Sequence, residues 1–281
     1  MALPDLCNLM YVARLRYIQT IHEPPDRRNP DTMVRRLIPI RRRFRAAWLG
    51  HEELSRLRSD PFYYYLVART RYYDEVVSDA IADGVQRLVT VGCGSDTRSY
   101  RFKDLLCRKG IKALECDQLE AINEKKRLTR RWSHPGHIEH LAIDLNDGEW
   151  SELQHWLGEE NPITLVVLEA VSPYIHDSAF TQFLRLLATR LAVGSLVAYD
   201  FKISGVNDDY GRMGRTKKPF RLSTSKDEVV AFHKAIGLHL NHMELSSDLV
   251  KRFLPNLSGY ERYEEDAHVR LGVRPSSDDG K

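Results

Sequence analysis

The sequence predicts an open α/β sheet, mostly parallel, with helices on both faces. Two apolar runs carry that expectation: Leu88 to Val91 (LVTV) and Thr164 to Val171 (TLVVLEAV). Strands of this kind are covered on both sides. The third observation is alternation, because strand-like runs and helix-like periodicities take turns along the chain from residue 63 onward. Hydrophobic residues make up 42% of the 281-residue chain and charged residues 29%, so a packed core is expected, not disorder.

The first 60 residues read as polar helices interrupted by a loop at His22 to Asp31 (HEPPDRRNPD), where prolines break regular structure. Arginines crowd this region, as in VRRLIPIRRRFR (Val34 to Arg45). We read them as a solvated helix face in preference to an anion-binding or membrane-surface patch. Tyr63 to Gly84 carries Leu66, Val67, Tyr72, Val76, Val77 and Ile81 at helical spacing, and Gly84 suits its end. The strand Leu88 to Val91 follows. Ile111 to Asp117 is a second strand and Glu120 to Trp132 the helix after it.

His137 to Leu145 is a third strand and Thr164 to Val171 a fourth. Asp177 to Leu191 is a strongly periodic helix with Asp177 as its cap. Gly194 ends it, Ser195 to Phe201 is a fifth strand, and Ser225 to Gly237 is a helix. Short strands near Leu238 to Met243 and His268 to Val273 complete the pattern, and the SSDDGK terminus is expected to fray. The chain thus divides into a helical N-terminal lid or extension (1–62), a main α/β domain (63–275) and a disordered tail (276–281).

Bulk properties exclude several roles. A net charge of +3 gives no general nucleic-acid footprint. The four cysteines, Cys7, Cys93, Cys107 and Cys116, show no CxxC or other metal-type spacing, so free thiols in a reducing cytoplasm and no metal site are expected. No signal peptide is read at the N-terminus, and no apolar run approaches the roughly 20 residues that span a bilayer, so stable membrane insertion is not expected.

In an open parallel sheet the ligand sits at the carboxyl ends of the strands, near the point where strand order reverses. Candidate residues should therefore stand where strands end. Gly92 and Gly94 follow the first strand directly and let the backbone turn sharply beside a ligand. Thr97 occupies the place of the third glycine of the dinucleotide fingerprint, so a pyrophosphate cradle is not expected. Asp117 closes the second strand, about 20 residues on, where a carboxylate accepts from a ribose diol. Asp144, closing the third strand, can accept from an exocyclic amine while Leu145 offers its backbone amide; Asp147 competes for that role.

Glu169 ends the fourth strand and can receive an ammonium, and Tyr174 would overhang the same rim. Of Arg69 and Arg71, which project about 200° apart on a helix, one can grip a carboxylate. The alternative is pairing with Asp74 or Glu75. Together these positions ask for ribose, adenine, a carboxylate and an ammonium without phosphate, which is the inventory of S-adenosylmethionine.

Five segments then carry a family resemblance. ARTRYYDEVV, VTVGCGSDTRSYRF, LECDQLEAINEKKRL, IDLND and LEAVSPYI resemble, in order, segments of the leucine carboxyl methyltransferase family of S-adenosylmethionine-dependent O-methyltransferases. The likeness runs from Ala68 to about Phe201, and PFRLSTSKDEVVAFHKAIG and DLVKRFLP are also similar in order and spacing. It implies a Rossmann-like class I methyltransferase fold. It implies Arg69 on the methionine carboxylate, the Gly92–Gly94 turn beneath the cofactor, Asp117 on the ribose and Asp144 with Leu145 on the adenine. Glu169 would lie by the methionine end and Tyr174 on the acceptor side. Cys93, Ser95 and Ala170 depart from the family's usual residues there.

The activity expected is O-methylation of a small-molecule hydroxyl or carboxyl, such as occurs in natural-product pathways. The alternatives are carboxyl methylation of a peptide or protein C-terminus, and a non-catalytic S-adenosylmethionine-binding protein. A hydroxyl acceptor needs a base, and His176 is the nearest candidate in sequence, although beside Asp177 its more ordinary role is to start a helix. Oligomeric state is left open.

Overall fold

The computed structural model describes residues 4–132, 137–158, 161–206, 218–257 and 263–274. The strands are β1 (Arg87–Val91), β2 (Lys112–Asp117), β3 (Ile138–Ala142), β4 (Thr164–Leu168), β5 (Leu196–Ile203), β6 (Arg221–Leu222), β7 (Leu238–Leu245) and β8 (Asp266–Val273). They form one sheet in the order β3-β2-β1-β4-β5-β8-β7, with the short β6 beside the end of β5. β1 pairs in parallel with both β2 and β4, so the strand order reverses between β1 and β4. β8 runs antiparallel to both β5 and β7.

Alternate residues of the central strands feed two separate cores. Val166 and Leu168 face one, with the helices Ser151–Gly158, Asp177–Arg190 and Lys226–Ala235. Leu165 and Val167 face the other, with Pro61–Ala82 and Ser246–Phe253. Burying both sides is what makes LVTV and TLVVL apolar throughout. Leu15, Ile18 and Ala46 from the N-terminal segment belong to the second core.

The helix Pro61–Ala82 starts cleanly because Pro61 needs no amide partner and Asp60 accepts from Phe62 N at 3.0 Å. Gly84, at φ +91°, turns the chain away beyond its end.

Several boundaries differ from expectation. β3 stops at Ala142, so Asp144 lies in the turn beyond the strand and does not close it. His176, not Asp177, is the N-cap of Asp177–Arg190, and its side chain makes no capping bond. β7 and β8 are eight-residue strands, not short ones. The helices Arg98–Arg101, Lys103–Lys109, Ser151–Gly158 and Ser246–Phe253 were not read from the sequence. The tail at 276–281, expected to fray, lies outside the described residues.

Two histidines are built into the cores. His268 on β8 meets the Tyr65 hydroxyl at 2.9 Å, and His233 meets that of Tyr199 at 2.7 Å. Burial lowers their pKa values to about 3 and about 4. Both are therefore neutral when folded. The stability tied to that state is complete above the unfolded value of about 6.5 and is lost as pH falls toward the folded values. Urea unfolding midpoints should drop between about pH 6.5 and pH 4. In the double variant His233→Gln and His268→Gln that slope should flatten; an unchanged slope would assign the acid sensitivity to other groups.

Candidate functional site

A cavity opens at the carboxyl ends of β1, β2 and β4, on the crevice where the strand order reverses. Arg69, Gly92, Asp117, Asp144, Leu145, Glu169 and Tyr174 all line it. Asp147 is exposed and does not. Gly94 sits behind the lining, where its N–H donates to Asp117 Oδ2 at 2.7 Å. Asp117 Oδ1 accepts from Gln118 N at 2.8 Å, so the carboxylate is aimed by backbone amides at both oxygens. His176 is not among the lining residues; its backbone N–H donates to Asn146 Oδ1 at 3.0 Å.

The turn after β1 is tightly built. Gly92 has φ +65°, and a Cβ placed on it would stand 2.4 Å from Val171 Cγ2. The buried Lys125 donates to Cys93 O at 3.1 Å and pairs with the buried Glu115 at 3.1 Å, pinning the turn from beneath. On the far wall, Ala170 holds φ +57°, a conformation rare for a residue with a Cβ. Its N–H donates to the buried Asp200 Oδ1 at 2.6 Å. Burial pushes the Asp200 carboxyl up to about 7.

Charge is concentrated at the back of the cavity. Arg69 Nε donates to Glu169 Oε1 at 2.9 Å, and Arg98 Nη1 donates to Glu169 Oε2 at 2.7 Å. Arg98 also meets Asp96 at 2.6 Å and Asp74 at 2.9 Å. Burial alone would raise the Glu169 carboxyl, but the Arg98 and Arg69 guanidiniums outweigh it and hold its pKa below the ordinary range. Arg69 and Glu169, assigned from sequence to opposite charges of one ligand, are thus joined to each other. Arg71 turns the other way and donates to the carbonyls of Phe253, Asp26 and Arg28. Asp74 is held instead by Arg98 and Arg101.

Sequence reading missed Arg16, Asp96 and Arg98. Arg16, on the helix Pro4–His22, lines the cavity and donates to Asp31 at 3.0 Å and to Ser95 Oγ at 2.7 Å. Its buried Nε finds no hydrogen-bond partner. For Asp96 and Arg98 the signal was their place in the G-x-G-x-D-T-R run directly after the first strand, which gave them no role. Nothing in the local sequence ties Arg16 to a turn some 80 residues away.

The donor set fits a phosphate-free nucleoside ligand. No described residue accepts from the two terminal nitrogens of Arg69, or from Leu145 N–H. Gly92 leaves the backbone bare against the cavity, and no third glycine forms a phosphate cradle. Fold and site together define an open α/β protein with a ligand-sized cavity at its topological switch point.

The chain belongs to the leucine carboxyl methyltransferase family, whose profile matches residues 10–188. S-adenosylmethionine is the cofactor that goes with that class. A Streptomyces coelicolor protein, provisionally named an S-adenosyl-L-methionine-dependent methyltransferase, is 26% identical over 69% of this chain and 68% of its own. A Streptomyces avermitilis protein of the same provisional name is 24% identical over 58% of this chain and 57% of its own, so the chain spans little more than half of that relative. The solved N-methyltransferase NodS from Bradyrhizobium japonicum WM9 aligns with 74% of this chain and 97% of its own at 15% identity and a TM-score of 0.49. The strand order above, not this last likeness, defines the fold.

Proposed function

We propose that the chain holds S-adenosylmethionine in this cavity and methylates an oxygen of a small-molecule acceptor, a carboxylate in preference to a hydroxyl. The observation that carries the reading is the convergence of Arg69, Gly92, Asp117, Asp144 and Glu169, from separate strand ends, on one cavity. Asp117 would take the ribose hydroxyls, Asp144 and Leu145 the adenine edge, and the open nitrogens of Arg69 the amino-acid carboxylate. When bound, the cofactor supplies a methyl group already activated by its sulfonium charge.

What remains for the chain is to align the acceptor and keep water out. Val12 and Arg16 add a wall from the N-terminal helix, which supports residues 1–62 as a lid over a small acceptor. Glu169 is held ionised by two guanidiniums and is a poor proton acceptor. His176 is off the lining. A carboxylate acceptor needs no base, and the cationic Arg16 suits it.

Calorimetry with S-adenosylhomocysteine tests the cofactor site. Asp117→Ala should weaken binding at least about tenfold, since it removes charge-assisted acceptors worth about 1.5–3 kcal/mol each; unchanged affinity would count against the assignment. Transfer from isotopically labelled S-adenosylmethionine to a metabolite pool, followed by base treatment, tests the acceptor. A methyl ester releases its label in base, whereas a methyl ether retains it and would overturn the carboxylate reading.

A further inference from the structure

The helix Ile40–Ala47 (IRRRFRAA) is assembled with its apolar side facing outward. Its buried residue is Ala46, which is 0% exposed. Ile40, Phe44 and Trp48 are 60%, 61% and 85% exposed. At about 100° per residue, these three form a stripe about 80° wide, centred about 160° from Ala46. An ordinary surface helix buries such a stripe. Here it forms a ridge pointing straight away from the core.

The surrounding charge is one-sided. Residues 34–50 contain Arg35, Arg36, Arg41, Arg42, Arg43 and Arg45 and no acidic residue. The chain as a whole nets +3, so the remainder is net negative by three. Arg41 and Arg45 flank the ridge on one side and Arg43 on the other, by the same helical spacing. None of the six arginines forms an ion pair with a described residue, although Arg36 lies over the Trp132 ring. The helix is fixed to the body of the protein: the ring of His22 hydrogen-bonds Ala46 O at 2.7 Å.

We propose that this ridge is a peripheral docking surface for an anionic phospholipid bilayer. Large apolar side chains carried on a cationic helix suit the boundary between headgroups and acyl chains. The free guanidiniums complement the negative surface potential. No helix among the described residues is long and apolar enough to cross a membrane, so the attachment is superficial and reversible. A second copy of the chain fits poorly, because a symmetric contact would face six unpaired positive charges with six more. The inference goes beyond the methyl-transfer reading and stands without it.

The test is co-flotation of the full chain with vesicles of phosphatidylcholine alone and with vesicles rich in phosphatidylglycerol. Binding is expected only to the second, with a blue shift of tryptophan emission that is absent in Trp48→Phe. The pair Phe44→Ser with Trp48→Ser, and separately the pair Arg41→Glu with Arg45→Glu, should each weaken binding at least about tenfold. These positions are exposed, so circular dichroism and the unfolding midpoint should be unchanged. Failure to float with anionic vesicles would overturn the proposal. So would flotation that persists in the Phe44 and Trp48 variant. Arginine-dependent capture by heparin, RNA or an acidic protein without vesicle binding would instead mark a polyanion or protein site and equally overturn it.

Discussion

Glu169→Ala should lower folding stability by about 3–5 kcal/mol, the range for breaking a buried ion pair from one side. Glu169 is the described ion-pair partner of Arg69, whose side chain is 6% exposed. Its loss leaves that cation at the back of the cavity without its hydrogen-bonded anion. Arg98 is affected less, because Asp96 and Asp74 remain beside it. Glu169→Gln keeps shape and one acceptor and should fall between wild type and alanine. The measurement is urea unfolding at neutral pH, with S-adenosylhomocysteine affinity recorded alongside, since Arg69 loses its anionic partner in both variants.

A pH series separates charge from shape. The folded Glu169 pKa is depressed, so its contribution is complete above the unfolded value of about 4.3 and fades as pH falls further. The gap between wild type and Glu169→Ala should therefore narrow in acid. A variant within about 0.5 kcal/mol of wild type at neutral pH would mean the cluster holds no charge that needs this partner.

How much of this was legible depended on whether the physics was local. The central strands were, because burial on both faces leaves unbroken apolar runs such as LVTV. The residues at their ends were too, because the topology dictates that ligands meet strand termini. That Asp117 and Glu169 stand at strand ends facing one cavity followed from position alone. The short helix Ser151–Gly158 was not, since two turns give too few periods to stand out from a loop.

Arg98 was missed for a different reason. It follows a glycine turn as one polar residue among several, and only the folded chain brings Asp74, Asp96 and Glu169 around it. The ridge at Ile40, Phe44 and Trp48 has a third cause. Its periodicity was readable, but periodicity gives the width of an apolar stripe and not the direction it faces. The arginines are solvated as that reading expects, with Arg41, Arg42 and Arg45 exposed, but it did not anticipate that Ile40, Phe44 and Trp48 share the exposed side.

Gly92→Ala should abolish measurable S-adenosylhomocysteine binding and destabilise the chain by about 2–5 kcal/mol. Two costs add. An L-residue in the left-handed region costs roughly 1–2 kcal/mol, and forcing a methyl group into a packed wall costs about 1–3 kcal/mol. The wall is Val171, whose Cγ2 would stand 2.4 Å from the new Cβ. Neither side can retreat cheaply. The turn is tied down by Cys93 N donating to Cys116 O at 3.0 Å and by Lys125 on Cys93 O. Val171 is held through its neighbour, because Ser172 Oγ donates to Asp200 O at 2.7 Å.

The strain therefore spreads the two walls of the crevice, which are the two halves of the sheet at its switch point. Adding Val171→Ala should remove the collision and leave the backbone cost. The double variant is expected to recover about 1–3 kcal/mol and part of its ligand affinity. Full affinity in Gly92→Ala alone would show that the turn does not touch the ligand. No recovery in the double variant would assign the whole effect to the backbone angle.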